Sequence, residues 1–100
     1  MFIAMNRFEI NEGMEEGFEK LWKERDSYLD DVPGFREFHL LRGPTGEGYT
    51  LYASHTVWES EQAFEDWTKS EAFVKAHRNA RAPEGTYRGH PKMEGFTQVL

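Results

Sequence analysis

The sequence predicts a single α+β domain, a four-stranded antiparallel sheet of ferredoxin-like order with helices packed against it. Three observations carry that expectation. A length of 100 residues suits one domain. Strand-like and helix-like hydrophobic periods follow one another in the order β-α-β-β-α-α-β. The third strand is apolar on both sides, Tyr49, Leu51 and Val57 on one and Tyr52 and Trp58 on the other, so both faces of the sheet need cover.

Met1 to Ile10 reads as the first strand, rich in aromatic and branched residues, and Asn11, Glu12 and Gly13 interrupt it. Met14 to about Leu29 reads as an amphipathic helix, with Met14, Phe18, Leu21, Trp22 and Leu29 at helical spacing. Pro33-Gly34 closes that unit. Phe35 to Leu41 and Tyr49 to Trp58 read as strands of a hairpin, joined by a longish glycine-rich loop from Arg42 to Gly48. Ser60 suits an N-cap and Glu61 the first turn of a helix that runs to about Lys69. Ser70 and Glu71 start a short helix carrying Phe73, Val74 and His77. Arg81 to Pro91 reads as an irregular loop, and Lys92 to Leu100 as the fourth strand.

Composition narrows the function classes. Aromatic residues make up 15% of the chain, more large side chains than one small monomer readily buries. The excess suits a second subunit or a flat apolar ligand. No apolar run approaches the roughly 18 to 20 residues that span a bilayer, and the N-terminal stretch lacks the pattern of a signal peptide. A soluble, cytoplasmic protein with no membrane partner is therefore expected. Cysteine is absent, which excludes disulfides and thiolate metal ligands. A net charge of −6 argues against nucleic acid as a partner. The charge is uneven: residues 12–31 hold eight acids and three bases, whereas residues 75–92 hold five Lys/Arg and one acid. These are either two solvated surfaces or, at the basic stretch, a meeting point for an anionic ligand.

Three polar residues interrupt apolar patterns. Asn6 lies mid-way along the strand face made by Phe2, Ala4, Phe8 and Ile10. A buried amide there either bonds neighbouring backbone or aims a donor into a pocket. Arg25 continues the stripe of Phe18, Leu21 and Trp22, either snorkelling to water or pairing with an anion at a pocket mouth. His77 shares a helical face with Phe73, Ala76 and Ala80, as a satisfied core histidine, a base or a metal ligand. Trp67 follows Ala63 and Phe64 and on pattern alone means packing. Neither an HExxH pair, a phosphate-binding glycine loop nor a serine nucleophile elbow is present.

The run Thr56-Val57-Trp58-Glu59-Ser60-Glu61-Gln62-Ala63-Phe64-Glu65-Asp66-Trp67, with Ser70 and Phe73 to His77 beyond it, resembles the antibiotic-biosynthesis-monooxygenase superfamily. Within it, the chain most resembles the IsdG-type haem-degrading monooxygenases, with Val32-Pro33-Gly34-Phe35 and Met5-Asn6-Arg7 also fitting. The resemblance implies a dimeric α+β barrel. It also implies an Asn, Trp, His trio: His77 as proximal ligand of the haem iron, Asn6 as hydrogen-bonding partner on the distal side, and Trp67 pressing the macrocycle out of plane. Trp22 and Arg25 match haem-lining positions of the first helix. Phe64, Phe73 and Val74 are expected as apolar walls, and the basic residues Arg78, Arg81 and Arg88 as partners of the propionates. Haem would serve as both cofactor and substrate, its ring opened by O2 with electrons from an external donor, a separate reductase, and its iron released. Two other readings of the same cleft stand beside this one. The first is a cofactor-independent monooxygenase of a polycyclic aromatic or quinol substrate, with His77 or Asn6 assisting deprotonation or holding an oxyanion. The second is a non-enzymatic homodimeric module that binds haem or another small ligand.

Overall fold

The computed structural model describes residues 1–24, 29–78 and 82–100. The elements are β1 (Phe2–Asn11), α1 (Glu15–Glu24), β2 (Phe35–Gly46), β3 (Tyr49–Trp58), α2 (Glu61–Thr68), α3 (Glu71–Arg78) and β4 (Lys92–Thr97), in the expected order. The strands form one antiparallel sheet in the order β2-β3-β1-β4, so β1 and β3 are central. No helix is long and apolar enough to cross a membrane among the described residues.

Strict alternation sets the two faces. Along β3 every second residue, from Thr50 to Trp58, is buried, and the residues between are half-buried. The buried side carries Phe2, Ala4, Phe8 and Ile10 from β1 and Tyr52 and Trp58 from β3, covered by Phe18 of α1, Leu29, and Phe64 and Trp67 of α2. Each fully buried large side chain contributes roughly 1.5–3 kcal/mol. The opposite face carries Ile3, Leu51, Ala53 and Val57, with Leu41 and Phe96 at 42% and 48% exposure. The expectation of apolar residues on both faces holds.

Three boundaries differ from expectation. The first helix ends at Glu24 within the described residues, and Leu29 lies outside it as a buried coil residue. Arg25 lies outside the described residues. The expected loop after Leu41 is instead continued strand: β2 runs to Gly46, with a bulge between Arg42 and Thr45 and a tight turn at Glu47-Gly48, where Gly48 takes φ +78°. Pro44 is tolerated there because β2 is an edge strand and its bulge asks for no N–H. β4 stops at Thr97, short of the expected Leu100.

Ser60 caps α2 as its sequence suggests, its hydroxyl accepting from the Ala63 N–H at 3.1 Å. Gly34, before β2, packs against that helix at φ +84°, and a Cβ there would lie 2.5 Å from the Ala63 Cβ. Only glycine allows this approach, which brings the start of β2 onto α2.

The core under the helices is split. Phe2, Ala4, Leu29 and Trp58 form one cluster, and Phe8, Ile10, Phe18 and Tyr52 another. Between them the strand register aligns Leu40, Ser54, Asn6 and Met93 in one row across the sheet.

Candidate functional site

Above that row the structure leaves a cavity of about 390 Å³. Its floor is the sheet, where Ala4, Asn6, Ser54 and Thr56 are too small to reach the helix layer. Trp22 of α1 and Phe38 of β2 form one wall, their rings stacked at 5.5 Å and 14°. Phe64 and Trp67 of α2 and Phe73 and His77 of α3 form the roof. An aromatic-walled space with a few polar groups suits a flat apolar ligand held at defined points.

His77 is oriented by its own helix. Its Nδ1 lies 2.8 Å from the Phe73 carbonyl oxygen one turn earlier. A carbonyl can only accept, so in this bond Nδ1 is the donor and Nε2 is the nitrogen left for another partner. The ring also packs on Phe73 at 4.0 Å between centroids and stands 6.3 Å from Trp67. Such an imidazole, one nitrogen bonded and the other left open, is prepared for a metal ion or for proton transfer.

Trp67 touches Trp58, Phe64 and Phe73, with centroids 5.4, 6.2 and 4.9 Å away. Its indole N–H is buried and has no hydrogen-bond partner among the described residues. The nearby Trp58 differs: its Nε1 donates to the Thr56 hydroxyl at 2.9 Å. An unsatisfied buried donor is uncommon in a native fold, and here it belongs to a side chain that lines the cavity. Ser70 locks this part of the roof, donating from its hydroxyl to the Trp67 carbonyl at 2.6 Å and accepting from the Phe73 N–H at 3.2 Å. One side chain thus ties the end of α2 to the start of α3.

The structure therefore brings Asn6, Trp22, Phe64, Trp67, Phe73 and His77 into one cavity, although they come from four elements. Val74 is corrected. It is 48% exposed and outside the lining, because it falls between Phe73 and His77 on the outward side of α3. Arg88 is corrected too. Its backbone N–H donates to the Glu9 carbonyl, and its guanidinium lies over the Tyr49 ring at 4.6 Å, on the sheet face away from the helices. Arg25, Arg81 and the Arg78 side chain lie outside what is described. Sequence reasoning missed Leu29, Phe38, Ser54, Thr56, Thr68 and Met93 as lining residues. Ser54 had only a weak signal, because its strand face alternates Thr50, Tyr52, Ser54, Thr56 and Trp58 and so is polar at three of five positions.

A polar cluster at the edge of the helix layer, exposed at Arg42 and part-buried at Glu15 and Glu19, ties α1, and so Trp22, to the sheet. The Tyr52 hydroxyl donates to Glu19 at 2.5 Å, Arg42 donates to the same carboxylate oxygen at 2.6 Å, and Thr50 donates to Glu15 at 2.9 Å. Burial, then the Glu19 bond, pushes the Tyr52 hydroxyl up to about 12. The Tyr52 bond, with Arg42 beside it, holds the Glu19 carboxyl below its ordinary value. Its own backbone N–H and then the Thr50 hydroxyl hold Glu15 down likewise.

Residues 1–79 match the family described as antibiotic biosynthesis monooxygenase. A haem oxygenase (mycobilin-producing) of Mycobacterium tuberculosis is 34% identical over 80 residues, which are 80% of this chain and 73% of that protein. A structure of the haem-degrader MhuD from the same organism, with two haems bound in its active site, superposes with a TM-score of 0.79 at 32% identity, covering 100% of this chain and 97% of that one. SnoaB of Streptomyces nogalater, a cofactor-independent oxygenase, superposes at 0.70 with 21% identity over 99% and 93% of the two chains, a likeness of fold alone.

Proposed function

The chain belongs to the antibiotic biosynthesis monooxygenase family, and on that premise we propose that it is a haem-degrading monooxygenase. Haem enters the cavity as cofactor and substrate, its ring is opened oxidatively and its iron is released. The observation that carries this reading is the His77 imidazole, Nδ1 bonded to its own helix and Nε2 left for another partner, in one aromatic cavity with Asn6 and Trp67. The likeness to the mycobacterial haem oxygenase favours haem over a quinol substrate or a simple carrier.

The residues present fit haem. The cavity offers aromatic walls for a flat macrocycle and an imidazole, that of His77, for iron. When bound and reduced, haem supplies oxygen activation and is itself the molecule attacked. The protein's part lies in its own groups. His77 would hold the iron through Nε2, and its bond to the Phe73 carbonyl keeps the ring from turning. Asn6 offers an amide donor from the sheet side, opposite the helix that bears His77. Trp67, wedged among Trp58, Phe64 and Phe73, cannot retreat and so presses on whatever fills the cavity. Trp22, Phe38, Phe64 and Phe73 exclude water. Arg25 is assigned to the haem edge on the family resemblance.

The working unit is a homodimer. The second face of the sheet, with Ile3, Leu51, Ala53, Val57 and the exposed Leu41 and Phe96, has the makings of an interface, rimmed by Arg7, Glu37 and Glu94. O2 is the oxidant, and a separate cytoplasmic reductase supplies electrons.

Hemin titration followed at the Soret band tests the reading. Stoichiometric binding that His77→Ala abolishes or weakens at least about tenfold is expected, with the band lost when reductant is added in air. Binding indifferent to His77→Ala would overturn the iron assignment. Tight binding with a band that survives reductant and air would make the protein a carrier.

A further inference from the structure

Ser54 stands directly opposite Asn6 on the neighbouring central strand. It is only 9% exposed, lines the cavity, and its hydroxyl makes no hydrogen bond among the described residues. The other hydroxyls of the lining are committed to the fold. Thr56 donates to the Ala4 carbonyl at 3.2 Å and accepts from Trp58, and Thr68 donates to the Glu65 carbonyl at 2.7 Å. The Ser54 hydroxyl is left open to the cavity, in a central-strand position where aliphatic side chains of similar size pack better. Its placement makes sense when something in the cavity accepts its proton.

Directly opposed residues of antiparallel strands have Cβ atoms about 4.5–5.5 Å apart. The Asn6 amide and the Ser54 hydroxyl can therefore converge on one small acceptor above the sheet. A single donor leaves such an acceptor free to swing, whereas two donors on adjacent strands fix its direction.

We propose that Ser54 is a second hydrogen-bond donor of the cavity floor and that, with Asn6, it holds a small iron-binding ligand on the sheet side of haem. The inference rests on the haem reading and extends it: the floor recognises the ligand that shares the iron with His77, as well as the macrocycle.

Azide, a small anionic iron ligand, is the probe. The ferric haem complexes of the wild type, Ser54→Ala, Ser54→Thr and Asn6→Ala are titrated with azide, and haem affinity is measured separately for each. Ser54→Ala keeps haem affinity within about twofold and weakens azide about tenfold, the scale of one hydrogen bond to a charged acceptor. Ser54→Thr, which restores a hydroxyl, recovers most of the loss. When Ser54→Ala is combined with Asn6→Ala, the joint loss differs from the product of the two, because both donors meet one acceptor. Azide affinity unchanged within about twofold in Ser54→Ala, with haem bound normally, overturns this inference and leaves the haem reading intact. A wild-type protein that does not bind hemin overturns both.

Discussion

Two tryptophans 5.4 Å apart offer an internal comparison of what a buried indole N–H is worth. Trp58 is fully buried and donates to Thr56 at 2.9 Å, whereas Trp67 buries its N–H without a partner among the described residues. Replacing either with Phe leaves one ring where the indole had two, a loss of packing of about 1–2 kcal/mol. For Trp58→Phe a made hydrogen bond worth about 1 kcal/mol goes as well, so the total loss is about 2–3 kcal/mol. For Trp67→Phe the change relieves an unpaired donor that costs about 1–3 kcal/mol, so stability stays within about 1 kcal/mol of the wild type. The assay is urea unfolding of the haem-free protein followed by far-UV circular dichroism, which does not depend on the fluorophore being removed. All variants are compared at one protein concentration, since an assembling protein's stability depends on it. If Trp67→Phe loses as much as Trp58→Phe, the unpaired indole is not a cost and the reasoning fails. The same variant should hold haem within about threefold of wild-type affinity yet open the ring about tenfold more slowly, because the wedge is smaller while His77 is untouched.

Gly34→Ala should destabilise by about 2–4 kcal/mol in the same assay, from the left-handed backbone together with the clash at Ala63. Glu15 and Glu19 have lowered folded pKa values, so their bonds contribute stability above the ordinary carboxylate range and lose it as pH falls through the folded values. Acid titration should therefore show stability falling from below about pH 4.5, and the double variant Glu15→Gln, Glu19→Gln should flatten that fall; an unchanged slope would remove these two carboxylates from the account. Val57→Lys, on the sheet face without helices, should convert the proposed dimer to monomer in sedimentation at micromolar concentration by placing an unpaired charge in the proposed interface, while a persisting dimer would move the interface elsewhere.

The order of elements was legible because each period is long and uninterrupted, as in the ten-residue alternation of β3. The coil at Leu29 was not, since Leu29 keeps the helical spacing of Phe18 and Trp22 while being buried from outside a helix. The extension of β2 was hidden by Gly43 and Pro44, which mark a turn in most contexts and here mark an edge-strand bulge. Asn6 and His77 were legible as breaks in apolar faces. Phe38 was not, because its role depends on the register that brings β2 beside β3 and under Trp22. Arg88 was misread for a related reason. A cluster of charge in sequence does not say which side of a sheet it reaches, and the bridge between Ile10 and Tyr87 leads Arg88 to Glu9, on the face away from the cavity.

The cavity itself follows from how side-chain size is distributed along the sheet. Trp58 and Phe2 at one end, and Tyr52, Phe8 and Phe18 at the other, fill the space between sheet and helices and hold the two layers apart. In the middle stand Ala4, Ser54, Asn6 and Thr56, which cannot span the gap. A purely apolar gap of this kind would favour collapse, since every approach of the layers regains dispersion contacts. Here collapse would press the aromatic roof onto an amide and a hydroxyl that make no side-chain hydrogen bond among the described residues, and the cost of sealing those groups opposes the gain. The polar row across β1 and β3 therefore does two things at once. It keeps the space between the core clusters from closing, and it presents donors to whatever occupies that space.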